Sequence, residues 1–327
     1  MAARRFPFDL FAARGLPGPI GELIERVRPV SMFPPFPWGQ WTYSRVFMER
    51  CRELPGDILE AGVGMGGMSI FFALLTQQLG EQRQVFSVDT FDGLPVPDDA
   101  KDNPYFREGL YAPGTAQADP LAALFASSAN PGLDCLAMRL AEFGVADRVV
   151  PVQGLFEEVL PGLAPDRSFS FVHIDGDLFD SVHSALSELY DRVDEGGVVA
   201  IDDFFHPGQG PLRAAAEFFN ERGETPIYHV AFPYSVFIVK EDWGRPVRSV
   251  DGNAYSLEWL RSDAEFMGAL RGSVAAARGD RRAKANAKIL LEALREPAHD
   301  GEIYDYWRAL EQFWASIDVR PEEWAVA

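Results

Sequence analysis

The chain has 327 residues, 47% hydrophobic and 13% aromatic, enough for a sizeable core in one large domain or two small ones. Its 49 acidic residues outnumber 30 basic ones, for a net charge of −19, which argues against nucleic-acid and anionic-membrane partners because those surfaces are held by Lys and Arg. No apolar run approaches the ~20 residues that span a bilayer; Asp9 and Arg14 interrupt any signal-like core, two cysteines without CxxC spacing fit a reducing compartment, and a soluble, cytoplasmic protein is expected.

Residues 1 to about 40 are rich in Pro and aromatics, densest in SMFPPFPWGQW, and proline at that density forbids a long helix. So apolar a segment is expected to wrap the domain, line the site or join a dimer or higher homo-oligomer. Trp38, Trp41 and Tyr43 are candidates for substrate contact or for plain packing. Tyr43 to Leu54 is helix-compatible and stops at Pro55-Gly56. The boundaries expected are an N-terminal segment over 1–54, a main domain over 55–240 and an extension over 241–327.

Asp57 to Ala61 is a strand running into GVGMGG (Gly62 to Gly67), followed by the helix-compatible Met68 to Leu79. A strand, a Gly-rich turn and a helix N-terminus let the backbone approach a ligand closely. Glu60 opens this turn, and the next strand, Gln84 to Val88, ends in Asp89, an acid placed to receive the ribose hydroxyls of an adenosine-containing ligand. Gly does fall at the sixth position from Gly62, so the pattern alone leaves NAD open. Residues 92–130 form a long connection, read as a lid at about 95–132. Leu133 to Phe143 is helix-compatible, and Val149 to Val152 is a strand ending in Gln153-Gly154.

The densest chemistry lies in FVHIDGDLFDSVHSALSELYDRVDEGGVVAIDDFF, residues 171–205. An apolar strand (Ser168 to Ile174) is followed by a helix with Leu178, Val182, Ala185, Leu186 and Leu189 at helical spacing. Gly196-Gly197 then introduces a second strand, Val198 to Ile201. That is the size of a right-handed βαβ unit. Acids end both strands, Asp175 and Asp177 after the first, Asp202 and Asp203 after the second. Ligands of open parallel sheets bind beyond the carboxyl ends of the strands. Four carboxylates gathered there need neutralising, most simply by a hard divalent cation; the plainer alternative is that such residues form turns and cap the next helix. His173 sits within its strand as a core residue or a support for the ligands. His206 is a loop candidate for proton shuttle or substrate contact. Leu212 to Asn220 is a helix and Thr225 to Lys240 a hairpin, giving about seven strands alternating with helices in a doubly wound α/β sheet. In the extension, RGDRRAKANAK reads as a solvated helix face and YDYWRALEQFWASI as an amphipathic helix with a heavy aromatic face.

Four motifs in order, EAGVGMGG, VDTFDGLP, HIDGDLFDS and GGVVAIDDF, resemble the macrocin O-methyltransferase family, which methylates sugar hydroxyls in antibiotics. The resemblance covers about Pro55 to Lys240 and implies a class I methyltransferase (Rossmann-like) fold with S-adenosylmethionine at the Gly-rich turn. On that mapping Glu60, Gly62 and Gly64 line the methionine end, Asp89 receives the ribose, and Gly154 and Phe156 lie near the adenine. Asp175, Asp202 and Asp203 fall where family members bind Mg²⁺, and Asp177 falls on the general base. The sequence departs from the family at Phe179, where Tyr is common, at Gly64-Met65 in place of a polar pair, and at Asp89-Thr90-Phe91 in place of DSF.

The expectation is an S-adenosylmethionine- and Mg²⁺-dependent O-methyltransferase acting on a small hydroxylated metabolite. Its rivals are a metal-independent methyltransferase, an NAD-dependent oxidoreductase and a non-catalytic cofactor-binding protein. Arg107 and Arg213 are the basic residues that bear on a phosphorylated substrate.

Overall fold

Runs of Val, Ile and Phe that are apolar on both faces suit strands covered by helices on either side, and this sequence alternates five of them with helical segments. The computed structural model describes residues 18–31, 40, 43, 44, 46–102, 106–113, 132–204, 210–224, 226, 229–231 and 235–240. In chain order the elements are α1 (Gly18–Val27), β1 (Asp57–Ala61), α2 (Gly67–Gln78), β2 (Val85–Asp89), α3 (Gly132–Phe143), β3 (Val149–Gln153), α4 (Phe156–Val159), β4 (Phe169–Ile174), α5 (Phe179–Leu189), β5 (Val193–Ile201), α6 (Gly210–Arg222), β6 (His229–Ala231) and β7 (Ser235–Val239). The sheet order is β3-β2-β1-β4-β5-β7-β6. The first five strands run parallel, and β7 lies antiparallel between β5 and β6. On one face α1, α2 and Leu136 and Leu140 of α3 pack over Ile58, Phe171 and Val198. On the other, Phe156, α5 and α6 cover Leu59, Val172 and Val199. No helix among the described residues is long and apolar enough to cross a membrane.

Three local features differ from the sequence expectation. A ten-residue helix, α1, lies between Pro17 and Pro29; Pro19 stands in its first turn, where no intrahelical donor is required. The stretch after Tyr43 tightens into a π-helical turn at Phe47–Cys51, closed by Arg52 N–H on the Phe47 carbonyl at 3.0 Å. Finally, Gly196-Gly197 does not precede β5 but lies inside it. The strand starts at Val193, and the register against β4 jumps from Phe169–Val193 to Phe171–Val198. Gly196 sits at φ +76° and a Cβ on Gly197 would come 2.8 Å from the Asp194 carbonyl, so the pair forms a bulge that side-chain-bearing residues would not fit.

Beyond the strand ends the ladder continues by one residue on each loop. Gly62 N–H donates to Val88 O (2.8 Å), Asp175 N–H to Ala61 O (2.7 Å), Asp202 N–H to Ile174 O (2.8 Å) and Gly154 N–H to Asp89 O (3.0 Å). Four loops therefore leave the sheet at one level. The order in which the strands are laid down reverses between the parallel neighbours β1 and β4, the crevice where open sheets take ligands. Gly62 occupies that point at φ +95°, and a Cβ there would lie 1.8 Å from the Asp175 carbonyl oxygen. Gly62→Ala is expected to strain the backbone and push the β4 loop away, lowering stability by at least about 2 kcal/mol. Chemical denaturation checks this, and an unchanged midpoint contradicts it.

Candidate cofactor and cation site

The Gly-rich turn is fastened from below by Asp89. Its Oδ2 accepts hydrogen bonds from Val63 N–H (2.7 Å) and Gly64 N–H (3.0 Å), and its Oδ1 from Phe91 N–H (2.7 Å). Arg139 holds the turn from the side through the Met65 carbonyl at 2.6 Å. Gly64 and Gly66 adopt φ of +50° and +86°, which lets the chain curl into α2. Glu60 is buried beneath the turn. Ser69 Oγ donates to its carboxylate, Ser69 Oγ lies 2.5 Å from Ser87 Oγ, and His173 Nδ1 stands 3.5 Å from Glu60 Oε1.

The second half of the site is acid. Asp175 and Asp177 follow β4, Asp202 and Asp203 follow β5, and all four are half-buried. Asp177 and Asp203 both take left-handed backbone conformations, φ +56° and +49°, which aspartate tolerates better than most residues. Burial, then repulsion from Asp202, Asp203, Asp177 and Glu60, holds the Asp175 carboxyl well above the usual carboxylate range. Burial and the Asp203 charge do the same to Asp177, which also shares a hydrogen bond with Asp203. Asp202 is pushed up to about 6 by burial and Asp203, with His173 acting in the opposite sense. The four acids thus act on one another as a single cluster. Donor atoms of Asp175, Asp202 and His173 all lie within 4.8 Å of one another, and Asp177 faces Asp203.

The loop after β2 walls this crevice. Asp102 Oδ1 accepts from Phe179 N–H at 2.7 Å and so caps α5 from outside the helix, while its Oδ2 takes Asp98 N–H at 2.8 Å. Lys101 Nζ stands 3.9 Å over the Phe179 ring, and Arg213 holds the Ala100 carbonyl at 2.8 Å. Leu94 and Leu110 pair across the loop (2.8 Å), which brings round Tyr111 at φ +71°. Burial raises the Tyr111 phenol well above its ordinary value, and Asp177, Asp203 and Asp175 raise it further, while Arg107 opposes them. Tyr43 is buried at the other side, 5.3 Å ring to ring from His173, and is raised by burial and then by Asp202. Phe156 packs so close to Gly176 that a Cβ there would meet its ring at 3.1 Å.

The structure therefore gathers Glu60, Gly62, Gly64, Asp89, Gly154, Phe156, Asp175, Asp177, Asp202 and Asp203 at one end of the sheet. His206, Trp38, Trp41, residues 103–105 and 114–131 of the expected lid, and the extension over 241–327 lie outside the described residues. Tyr111 was missed by sequence reasoning. It was one of several aromatics in a long loop, two residues after Gly109, with nothing in the sequence to single it out.

Sheet order and site together define a class I methyltransferase fold. The family model of macrocin-O-methyltransferase (TylF) matches residues 44–236, more than half of the chain. The chain belongs to that family. Over 153 residues it is 34% identical to the 8-demethyl-8-(2,3-dimethoxy-alpha-L-rhamnosyl)-tetracenomycin-C 4'-O-methyltransferase of Streptomyces olivaceus, covering 46% of this chain and 54% of that protein. Over 173 residues it is 29% identical to the mycinamicin III 3''-O-methyltransferase of Micromonospora griseorubida, covering 52% and 62%. The demethyldecarbamoylnovobiocin O-methyltransferase of Streptomyces niveus is 30% identical over 154 residues, covering 46% and 54%. The chain spans about half the length of the curated relatives it matches.

The residues present fit a divalent cation. Oxygen donors converge, and burial, then their mutual repulsion, raises their affinity for protons in its absence. The sign of the resulting pH dependence follows. A carboxyl whose folded pKa is raised stabilises the fold below its unfolded value of about 3.9 and loses that contribution as pH rises through the folded value. For Asp202 that loss runs from about 3.9 to about 6, and for Asp175 and Asp177 it continues above the ordinary range. In chelator, the melting temperature is expected to fall as pH rises from about 4 to about 6, and Mg²⁺ is expected to restore it most at the upper end. A flat profile that ignores Mg²⁺ contradicts the cation reading. Scanning calorimetry reads both.

Proposed function

We propose that the protein is an S-adenosylmethionine- and Mg²⁺-dependent O-methyltransferase acting on a hydroxyl of a small, sugar-containing natural product. One observation carries the choice of cofactor. The Val63 and Gly64 N–H groups, where a dinucleotide would place its pyrophosphate, already donate to Asp89. A diphosphate at that position would displace nothing and meet a carboxylate. A sulfonium cation meets the same negative surroundings favourably, and the names of the relatives support the transferred group.

Each residue then has a task. Gly62 and Gly64 leave space for the methionine end, with Glu60 beneath. Asp89 Oδ1, which accepts the Phe91 N–H and lies 3.4 Å from Thr90 Oγ1, keeps acceptor capacity for a ribose hydroxyl. Gly154 and Phe156 flank the adenine. Asp175, Asp202 and Asp203 hold the ion. When bound, Mg²⁺ supplies Lewis acidity that lowers the pKa of a hydroxyl it contacts, and S-adenosylmethionine supplies the methyl group. Asp177 is the general base. Burial and Asp203 raise its carboxyl well above the ordinary carboxylate range, which makes it a stronger base than a free aspartate. Asp177 would take the hydroxyl proton on a carboxylate oxygen, and the methyl group would pass to the hydroxyl oxygen from the sulfonium, whose C–S bond breaks to leave a neutral thioether. The loop through Tyr111 excludes water from that side, and His206 is the candidate for passing the proton onward.

The reading is tested by calorimetric titration with S-adenosylmethionine, with NAD beside it, and by transfer of labelled methyl to a panel of glycosylated natural products. S-adenosylmethionine is expected to bind and NAD to fail. Asp177→Asn is expected to lower transfer by about 10²–10⁴-fold while affinity for S-adenosylmethionine is retained. Asp89→Ala is expected to weaken cofactor binding first. Equal loss of cofactor affinity in both variants contradicts the separate roles, and binding of neither cofactor contradicts the reading as a whole.

A further inference from the structure

We propose that His183, Glu217 and Glu221 form a separate metal site at the surface of the helical layer, one that takes Zn²⁺ and ties α5 to α6. The inference is independent of the reaction proposed above and of the acids at the strand ends.

The imidazole is held in place before any ion arrives. α5 and α6 pack against each other over Leu59, Val172 and Val199. Phe179, one turn before His183, stacks on its ring at 5.7 Å and 16°, and Phe218 of α6 meets the ring edge-on at 6.4 Å. Packing therefore sets the direction of this half-buried side chain. Its Nε2 is shut off from solvent and has no hydrogen-bond partner among the described residues. A buried polar atom left bare is unfavourable. Ser187 Oγ, one turn further along α5, stands 3.5 Å from Nδ1. A hydroxyl accepting there keeps the proton on Nδ1 and leaves the Nε2 lone pair as a donor.

The carboxylates come from the facing helix. A spacing of four residues puts Glu217 and Glu221 on one side of α6, and both are exposed. One ligand atom from each of them and one from His183 all lie within 4.8 Å of one another. Like charges at that spacing repel. Arg213 and Arg222 of the same helix are turned elsewhere, to the Ala100 carbonyl and to Asp191 and Glu224. Donors bound to one Zn²⁺ at about 2.0–2.2 Å lie at most about 4.4 Å apart, so a modest rotation of the two exposed glutamates closes the set. One imidazole nitrogen and two carboxylates suit Zn²⁺, with water in the fourth position, whereas Mg²⁺ prefers oxygen throughout. The competing arrangement is an imidazolium at His183 facing the two carboxylates without any ion.

The experiment uses the full chain, stripped with chelator and then held in excess Mg²⁺ to supply the strand-end acids. Zn²⁺ is titrated by calorimetry and the melting temperature is followed. The proposal expects Zn²⁺ to bind and to raise the melting temperature. Glu217→Gln and Glu221→Gln, both at exposed positions, are each expected to weaken that binding at least about tenfold, because loss of even a contact supporting a ligand costs about 10–100-fold. The double variant is expected to lose one equivalent of Zn²⁺ and its effect on melting, with Mg²⁺ and S-adenosylmethionine binding unchanged. Zn²⁺ bound by the double variant in full stoichiometry and with unaltered affinity overturns the proposal, and so does a chain that binds no Zn²⁺. Neither result bears on the reading of the strand-end site.

Discussion

Like charges held together at the ends of β4 and β5 are the constraint on which the rest of this structure turns. Separate loops would drift apart to relieve such repulsion. Here they do not, because Asp175 and Asp202 are the first residues beyond adjacent parallel strands and their N–H groups still belong to the ladder. The backbone sets their spacing and the side chains bear the consequence, which is why three of the four carboxyls hold protons more tightly than an ordinary aspartate. Stability gained elsewhere, in the apolar layers on both faces of the sheet, offsets that local cost.

The Gly-rich turn depends on the same crowding. Gly62 must lack a side chain because the Asp175 carbonyl fills the space where one would be, so the cofactor turn and the acidic loop fix each other's position. Asp89 then does two things with one carboxylate: it ties down the turn and faces the crevice. Asp102 likewise caps α5 and anchors the loop that carries Tyr111 toward the acids. The candidate binding groups of this site are also structural groups, and removing Asp89 or Asp102 disturbs a neighbour.

What was legible in the sequence follows from this. Strand followed by acid is a one-dimensional pattern, so Asp175, Asp177, Asp202 and Asp203 were visible, as were GVGMGG and the Asp89 that ends β2. Chain order also gave the alternation of strands and helices. Contacts between distant residues were not visible. Nothing in the sequence says that Asp89 is occupied by Val63 and Gly64, or that Asp102 reaches Phe179 across 77 positions. The Gly196-Gly197 pair read as a turn because glycines favour both turns and bulges, and only pairing with β4 distinguishes them. His173 was readable as a strand residue, but its two orphaned nitrogens depend on Glu60, Asp175 and Asp202 arriving from three strands.

The account stands on a cation at the strand ends. Its most direct measurement is anomalous diffraction from a crystal soaked in Mn²⁺, collected near the manganese edge. The account predicts one peak bounded by the carboxylates of Asp175 and Asp202. A saturating soak that leaves this position empty, with the four aspartates sharing protons among themselves, would contradict it.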